Sequence, residues 1–297
     1  MPKYFYSPLR YPGGKKFLFK FLNDIIKLNN LNDGIYIEPF CGGSGAALSL
    51  LLTEKVYKVV LNDIDYGIYA FWKSILKQNE RFIKKIIKTP ISISEYKKQR
   101  QILFNSKKTD LFEIGFATFY LNRCNRSGIL KAGPIGGFEQ DSNWNINARF
   151  NKEDLIHRIK LISIYSERID IYNYDAIAFI NKHLFAYLKN DSRILLYNDP
   201  PYYKKGNDLY RHYFEETHHI SFARYFNYFH KVKWLISYDD SQFISELYEG
   251  HNFNFVNLNY FTNKSKLGRE IIISSQDCIL PTDLKSIEPN KIKLSAS

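Results

Sequence analysis

Residues 34 to 52 pass from a short apolar strand, Gly34-Ile-Tyr-Ile-Glu38, through the turn Pro39-Phe-Cys-Gly-Gly-Ser-Gly45 into the apolar helix Ala46 to Leu52. A strand that reaches a helix through a glycine-rich turn opens a doubly wound α/β sheet, which narrows the fold more than any other feature of the chain. The glycines read G-G-S-G rather than G-x-G-x-x-G, and no G-K-[ST] follows, so neither a dinucleotide fingerprint nor a P-loop is supported. What the turn offers is backbone that a small ligand can approach closely.

The alternation continues. Tyr57 to Leu61 reads as a second strand and ends in Asn62-Asp-Ile-Asp65. Asp63 is the acid nearer the strand end, about twenty positions after the glycine turn, where ribose hydroxyls are held in Rossmann-like sites; Ile64 can cover an adenine face. In isolation either aspartate could instead cap the next helix. Further strands are expected at 169–172, 193–197, 234–237, 254–259 and 271–274, and helices at 152–166, 176–188, 221–230 and 241–248. The result is an α/β fold on a mostly parallel sheet of seven strands.

The strand Arg193-Ile-Leu-Leu-Tyr197 runs into Asn198-Asp-Pro-Pro-Tyr202. Asp199 is a hydrogen-bond acceptor when ionised. Two prolines fix φ and remove both backbone donors, leaving nearby carbonyls to face a substrate without competing N–H groups. Tyr202 supplies a ring on which a base can stack, for roughly 1–3 kcal/mol. Such a strand end can grip the exocyclic amine of a flat heteroaromatic ring. By itself it can equally be a strand-ending turn with a buried tyrosine. Tyr203 to Phe214, polar, basic and aromatic, suits a lid.

Charge separates the middle of the chain from the rest. Residues 69–164 hold 18 basic against 8 acidic side chains, a net +10 of the chain's +12. A field concentrated in this way favours a polyanion, most simply nucleic acid. The segment reads as basic helices at 69–76, 80–88, 94–104 and 111–123, followed by a glycine-rich polar stretch from Asn122 to Phe150. A loop so long is usually functional or disordered. Its arginine, asparagine, serine and lysine side chains, set around two turn signals, could form a hairpin that reads base edges in a groove. The N-terminal Pro12-Gly-Gly14 turn leads into a helix whose free N–H groups suit a carboxylate or phosphate.

Other classes receive no support. Cys41, Cys124 and Cys278 are far apart and odd in number, so no disulfide framework or metal-binding CxxC is suggested. His218-His219 lack the spacing of a metal motif and read as solvated residues at a helix start. No apolar signal core or membrane-length run is visible, which makes a cytoplasmic protein the expectation.

Four motifs in order, R-Y-P-G-G-K at 10–15, E-P-F-C-G-G-S-G at 38–45, L-N-D-I-D at 61–65 and N-D-P-P-Y at 198–202, resemble the DNA adenine methyltransferase (Dam) family, as does Leu121-Asn-Arg-Cys-Asn-Arg-Ser-Gly128. The order, cofactor loop first and D-P-P-Y last, is similar to the alpha class of amino-methyltransferases. The resemblance implies a Rossmann-like methyltransferase sheet formed by 1–68 and 165–297, with 69–164 as an inserted, mainly helical target-recognition domain. It implies S-adenosylmethionine as cofactor, S-adenosylhomocysteine as product and no metal. Tyr11, Lys15, Phe40, Gly42, Gly45, Asp63, Ile64, Asp175 and Asp199 are then the cofactor-binding set, and Asp199, Pro200 and Tyr202 the catalytic set. Double-stranded DNA becomes the partner, contacted by Arg10, Arg126, Ser127, Ile129, Lys131, Lys264 and Lys266.

The expected reaction is methylation of the adenine 6-amino group after base flipping, by a monomer in a bacterial, archaeal or phage-encoded cytosol, with a restriction endonuclease or defence partner acting independently. The alternatives are cytosine N4 or an RNA base as acceptor, or an inactive nucleic-acid-binding regulator on the same scaffold. Ser127 and Lys131 stand where many relatives carry asparagine and arginine, and Ala132-Gly-Pro-Ile-Gly-Gly137 is unlike theirs, which argues against GATC as the recognised sequence.

Overall fold

The computed structural model describes residues 6–10, 16–105, 110–204, 211–261 and 265–281. Its centre is a seven-stranded sheet. In chain order the strands are β1 (Ile35–Glu38), β2 (Lys58–Asn62), β3 (Ile169–Tyr172), β4 (Ile194–Asn198), β5 (Lys233–Asp239), β6 (Asn252–Phe261) and β7 (Ser265–Ser274). In space they lie in the order β3-β2-β1-β4-β5-β7-β6. The pairs β2/β3, β1/β2, β1/β4 and β4/β5 are parallel, whereas β7 enters antiparallel between β5 and β6. The strand order reverses between β1 and β4. There the connections leave in opposite directions and a crevice opens beyond the carboxyl ends of the strands.

Alternation along each strand feeds two cores, because successive side chains point to opposite faces. Tyr36, Val59, Leu61, Leu195, Tyr197, Leu235 and Ile272 pack on one face. Ile35, Ile37, Val60, Ile194, Leu196, Trp234, Ile236, Ile271 and Ile273 pack on the other. The second face is covered by α8 (Ala176–Leu188), α9 (Glu216–Asn227) and α10 (Gln242–Leu247). The first is covered by α1 (Lys16–Leu28) and α2 (Gly45–Leu52), and its core runs without a break into the basic segment.

That segment is α3 (Tyr66–Lys77), α4 (Asn79–Lys88), α5 (Ile93–Asn105), α6 (Leu111–Cys124) and α7 (Lys152–Ile164). Its interior is aromatic: Phe82 on α4 meets Phe71 on α3 and Phe112, Phe116 and Phe119 on α6, with ring centroids 5.5–5.8 Å apart. α6 approaches α3 so closely that a Cβ at Gly115 would lie 2.4 Å from the Ala70 carbonyl oxygen. Only glycine allows that contact.

Three expectations require correction. The helix expected at 221–230 begins at Glu216, because Glu215 and His218 form a reciprocal cap in which the Glu215 N–H donates to His218 Nδ1 at 3.0 Å. His219, expected in solvent, is only 1 % exposed and shares a 3.0 Å hydrogen bond with the Tyr238 hydroxyl; burial lowers its pKa to about 4. The strand expected at 271–274 begins earlier, at Ser265, and pairs residue for residue with β6. Backbone pairing, not hydropathy, decides that strand.

Gly115→Ala is expected to destabilise the protein by roughly 1–3 kcal/mol, the usual cost of overpacking a tight contact. Urea unfolding should show a lower midpoint with an unchanged slope.

Candidate active site at the strand switch point

The loop after β1 and the loop after β4 emerge side by side at this crevice. The first is built on Asn62, a side chain with no solvent exposure at the end of β2. Its amide donates to the Pro39 and Tyr174 carbonyls at 2.9 and 3.0 Å and accepts from the Tyr174 N–H at 3.0 Å. One residue thus holds together the chain leaving β1, β2 and β3.

Asp63 continues the work. Its carboxylate accepts the Gly42 N–H at 2.8 Å and the Asp65 N–H at 2.9 Å. Gly42 has φ 43°, the left-handed region, and its carbonyl accepts the indole N–H of Trp72 from α3 at 2.9 Å. Desolvation, and then the Asp65 charge, push the Asp63 carboxyl up to about 7; the backbone donors and Arg211 pull in the other direction. Ile64 is 46 % exposed beside it. Asn173 donates to the Asp63 and Ile64 carbonyls at 2.7 and 3.1 Å, extending the same edge toward Asp175.

The two aspartates therefore divide their roles. Asp65 is the helix cap: its Oδ1 accepts from Gly67 and Ile68 at the start of α3. Asp175 likewise caps α8, accepting from Ile177 and Ala178 at 3.0 and 3.1 Å. Phe40 packs edge-on against Phe214 and Phe222 at 5.8 and 5.6 Å. A Cβ at Gly45 would meet nothing within 4 Å, so the glycine turn opens onto free space at the start of α2, where N–H groups have no helical partner. This cradle, an acidic group and an exposed apolar side chain fit a nucleoside with a carboxylate-bearing arm. Tyr11 and Lys15 lie outside the described residues.

The second loop is held from β5. The Tyr197 and Ser237 hydroxyls share a 2.8 Å hydrogen bond, and Ser237 Oγ donates to Asp199 Oδ1 at 2.7 Å. Asp239 accepts the Tyr203 and Lys204 N–H groups at 2.9 and 3.0 Å. The Tyr203 ring stacks on Phe243, 4.6 Å between centroids. Tyr202 is buried, and its hydroxyl donates to the buried carboxylate of Glu270 on β7. Ser237, Asp239 and Glu270 escape a motif search; their only signal is polarity inside otherwise apolar strands.

The recognition stretch differs from the expected hairpin. Only Asn125 and Pro134 form a β-bridge. The Asn125 side chain donates to the Ile129 and Leu130 carbonyls at 2.8 and 3.1 Å, so a side chain replaces the ladder and closes a tight loop. Arg126, Ser127 and Lys131 are exposed on it and Ile129 is half-buried. Gly128, at φ 77°, packs where a Cβ would come within 2.5 Å of the Arg10 carbonyl oxygen. Asn122 holds Arg10 by both backbone groups, accepting its N–H at 2.6 Å and donating to its carbonyl at 2.7 Å. Arg10, Arg123, Arg149 and Arg158 crowd here: desolvation and neighbouring guanidiniums lower the pKa of Arg10 and bring that of Arg123 down to about 9. Lys264 lies outside the described residues, and Lys266 sits within β7 opposite Tyr260, apart from this loop in sequence.

A glycine cradle with an acidic partner, set beside an acid–proline–proline–tyrosine strand end on a sheet of this order, defines a Rossmann-like methyltransferase. The sequence match narrows the class. Residues 11–263 match the D12 class N6 adenine-specific DNA methyltransferase family, and the chain belongs to it. It is 24% identical over 246 residues to the type II methyltransferase M.CviBI of Paramecium bursaria Chlorella virus NC1A, covering 82% of this chain and 86% of that protein. It is also 24% identical over 271 residues to the type II methyltransferase M.MjaIII of Methanocaldococcus jannaschii, covering 82% and 88%. Among solved structures, the rRNA methyltransferase aviRa from Streptomyces viridochromogenes superposes with a TM-score of 0.39 at 14% identity, over 91% of this chain and 88% of that one.

Ser237→Ala removes a hydrogen bond to a charged acceptor, typically worth about 1.5–3 kcal/mol. Single-turnover methylation of duplex DNA should slow roughly 10- to 100-fold, with the fold intact by circular dichroism.

Proposed function

We propose that this enzyme transfers a methyl group from S-adenosylmethionine to the 6-amino group of an adenine flipped out of duplex DNA, with Asp199, Pro200 and Tyr202 as its catalytic residues. The observation that carries the reading is the reversal of strand order at β1 and β4, which sets the glycine loop and N-D-P-P-Y side by side at one crevice. A cofactor on one loop and an amine on the other are then neighbours, as transfer requires.

S-adenosylmethionine, when bound, supplies an electrophilic methyl group. Phe40, Gly42, Gly45, Asp63, Ile64 and Asp175, with Tyr11 and Lys15 from the first motif, would hold it: Asp63 at the ribose, Ile64 on the adenine face, Asp175 at the adenine amine and the start of α2 at the carboxylate. The target amine lies inside the base stack of DNA, so the nucleotide is flipped out at a cost of a few kcal/mol. The Asp199 carboxylate and the Pro200 carbonyl accept its two N–H bonds and draw its lone pair out of conjugation. Ser237 fixes Asp199 for that contact, and Glu270 fixes the plane of Tyr202, which packs on the base. Positive charge that develops on nitrogen is stabilised by acceptors already in place.

The basic insert, 69–164, serves as the target-recognition unit. Arg10, Arg126, Ser127, Ile129 and Lys131 approach the duplex, and Lys264 and Lys266 are included with them on the family resemblance alone. Cationic groups crowded around Arg10 favour phosphates. The type II relatives favour a role beside a restriction endonuclease. Among the described residues no helix is long and apolar enough to cross a membrane. A monomer acting in the cytosol is the working state.

Two experiments test the reading. Asp199→Ala should lower kcat by at least roughly 100-fold while binding of S-adenosylmethionine persists; a near wild-type rate, or a methylated base other than N6-methyladenine in nucleoside analysis, would sink the mechanism. The second concerns Asp63, whose acid form predominates below about 7. A ribose hydroxyl donates to the ionised form, so calorimetric affinity for the cofactor should rise about tenfold from pH 6 to pH 8 and then level off. Asp63→Asn, run in parallel, removes that rise and leaves only the cofactor's own titration.

A further inference from the structure

Arg211 was expected only as part of a basic, lid-like stretch. Instead its guanidinium makes a two-pronged ion pair across 146 residues of sequence: Nε donates to Asp65 Oδ2 at 2.8 Å and Nη2 to Asp65 Oδ1 at 2.7 Å. Both side chains are largely buried, at 18 % and 11 % exposed. A planar fork on a carboxylate is the strongest and most directional ion-pair geometry available to a protein. The same guanidinium lies 5.6 Å from the ring of Phe104 near the end of α5. Its neighbours in the chain continue the contact line. Tyr213 sits under Lys131 of the recognition loop at 5.9 Å, and Phe214 meets Phe40 of the glycine loop at 5.8 Å. Residues 211–214 thus touch the start of α3, the end of α5, the recognition loop and the cofactor loop.

We propose that Arg211 is a positioning residue for cofactor binding: its fork on Asp65 anchors residues 211–214 to the start of α3 and sets a guanidinium against the carboxylate that neighbours Asp63. This rests on the assignment of Asp63 to the ribose. Asp63 and Asp65 lie two residues apart, and the Asp65 charge opposes ionisation of Asp63. The groups that face Asp63 are the Asp65 carboxylate, the Arg211 guanidinium, the Cys41 thiol with Sγ 3.9 Å away, and the Gly42 and Asp65 N–H donors. Among the described residues Arg211 is the one cation in that set. Without it the Asp65 charge is opposed by the two backbone donors alone, and the fraction of Asp63 ionised at neutral pH falls. Asp65 itself stays bound to α3 through its cap, so losing Arg211 need not unfold the helix start.

The test is calorimetric titration of the full chain with S-adenosylmethionine from pH 6 to pH 9, for wild type, Arg211→Gln, Arg211→Lys and Asp63→Asn. Arg211→Gln should bind about tenfold more weakly at pH 7, with the midpoint of its pH dependence moved to higher pH and the deficit shrinking toward pH 9. Arg211→Lys keeps the charge without the fork and should keep the wild-type midpoint. A midpoint in Arg211→Gln equal to that of wild type overturns the proposal, whether or not affinity falls, because a tether alone weakens binding equally at every pH. If Arg211→Gln does not fold, a wild-type midpoint in Arg211→Lys supports the charge role and a midpoint shifted to higher pH overturns it. Asp63→Asn separates the two levels: cofactor binding identical to wild type at every pH removes the ribose assignment itself, independently of what Arg211 does.

Discussion

The buried amide of Asn62 is the constraint on which the carboxyl edge of the sheet depends. The neighbouring strands β1, β2 and β3 end at that edge, and each chain must turn away from the ladder with unpaired backbone groups that cannot stay unsatisfied in a dry interior. Asn62 has a carbonyl and an amine on one planar group, and it satisfies the chain after β1 and the chain after β3 at once. An aliphatic residue of the same size would leave those groups orphaned, and a carboxylate could not donate. With the strand ends tied, Gly42 is delivered to Asp63 and Asp175 to the far end of the same rim.

Charge is handled along this rim by pairing, not by exposure. Asp63, Asp65 and Glu270 are buried or nearly so, and each has directional partners that offset part of its desolvation. Asp65 has two backbone donors and a guanidinium. Asp63 has two backbone donors and a like-charged neighbour, which leaves its carboxyl near 7. The edge is therefore pre-organised yet close to a protonation balance, a condition more common at functional sites than in structural networks.

The recognition side follows a different rule. Asn122 and Gly128 are buried and work on the backbone of Arg10, so the part of the motif that holds them serves the scaffold. Arg126, Ser127 and Lys131 stand exposed on the same loop. The loop is tied to the scaffold through Asn122 and Gly128 and leaves Arg126, Ser127 and Lys131 on its surface.

By itself the sequence determined the kind of sheet, the number of strands and the two loops that meet at the crevice. These follow from local information: period-2 apolar runs, glycines where backbone must be approached, and prolines that end a strand. It also favoured Asp63 over Asp65 as the nearer acid to the strand end, and the structure gives Asp65 to the cap of α3. Tertiary structure alone decided which polar residues hold those loops. Ser237 supports Asp199 from 38 residues away, Glu270 meets Tyr202 across 68, and Arg211 meets Asp65 across 146. A polar side chain inside a strand or loop announces no partner, because its partner is set by which strands become neighbours. The same reason explains His219: its spacing suited a solvated helix start, but the packing of α9 against β5 turned it inward.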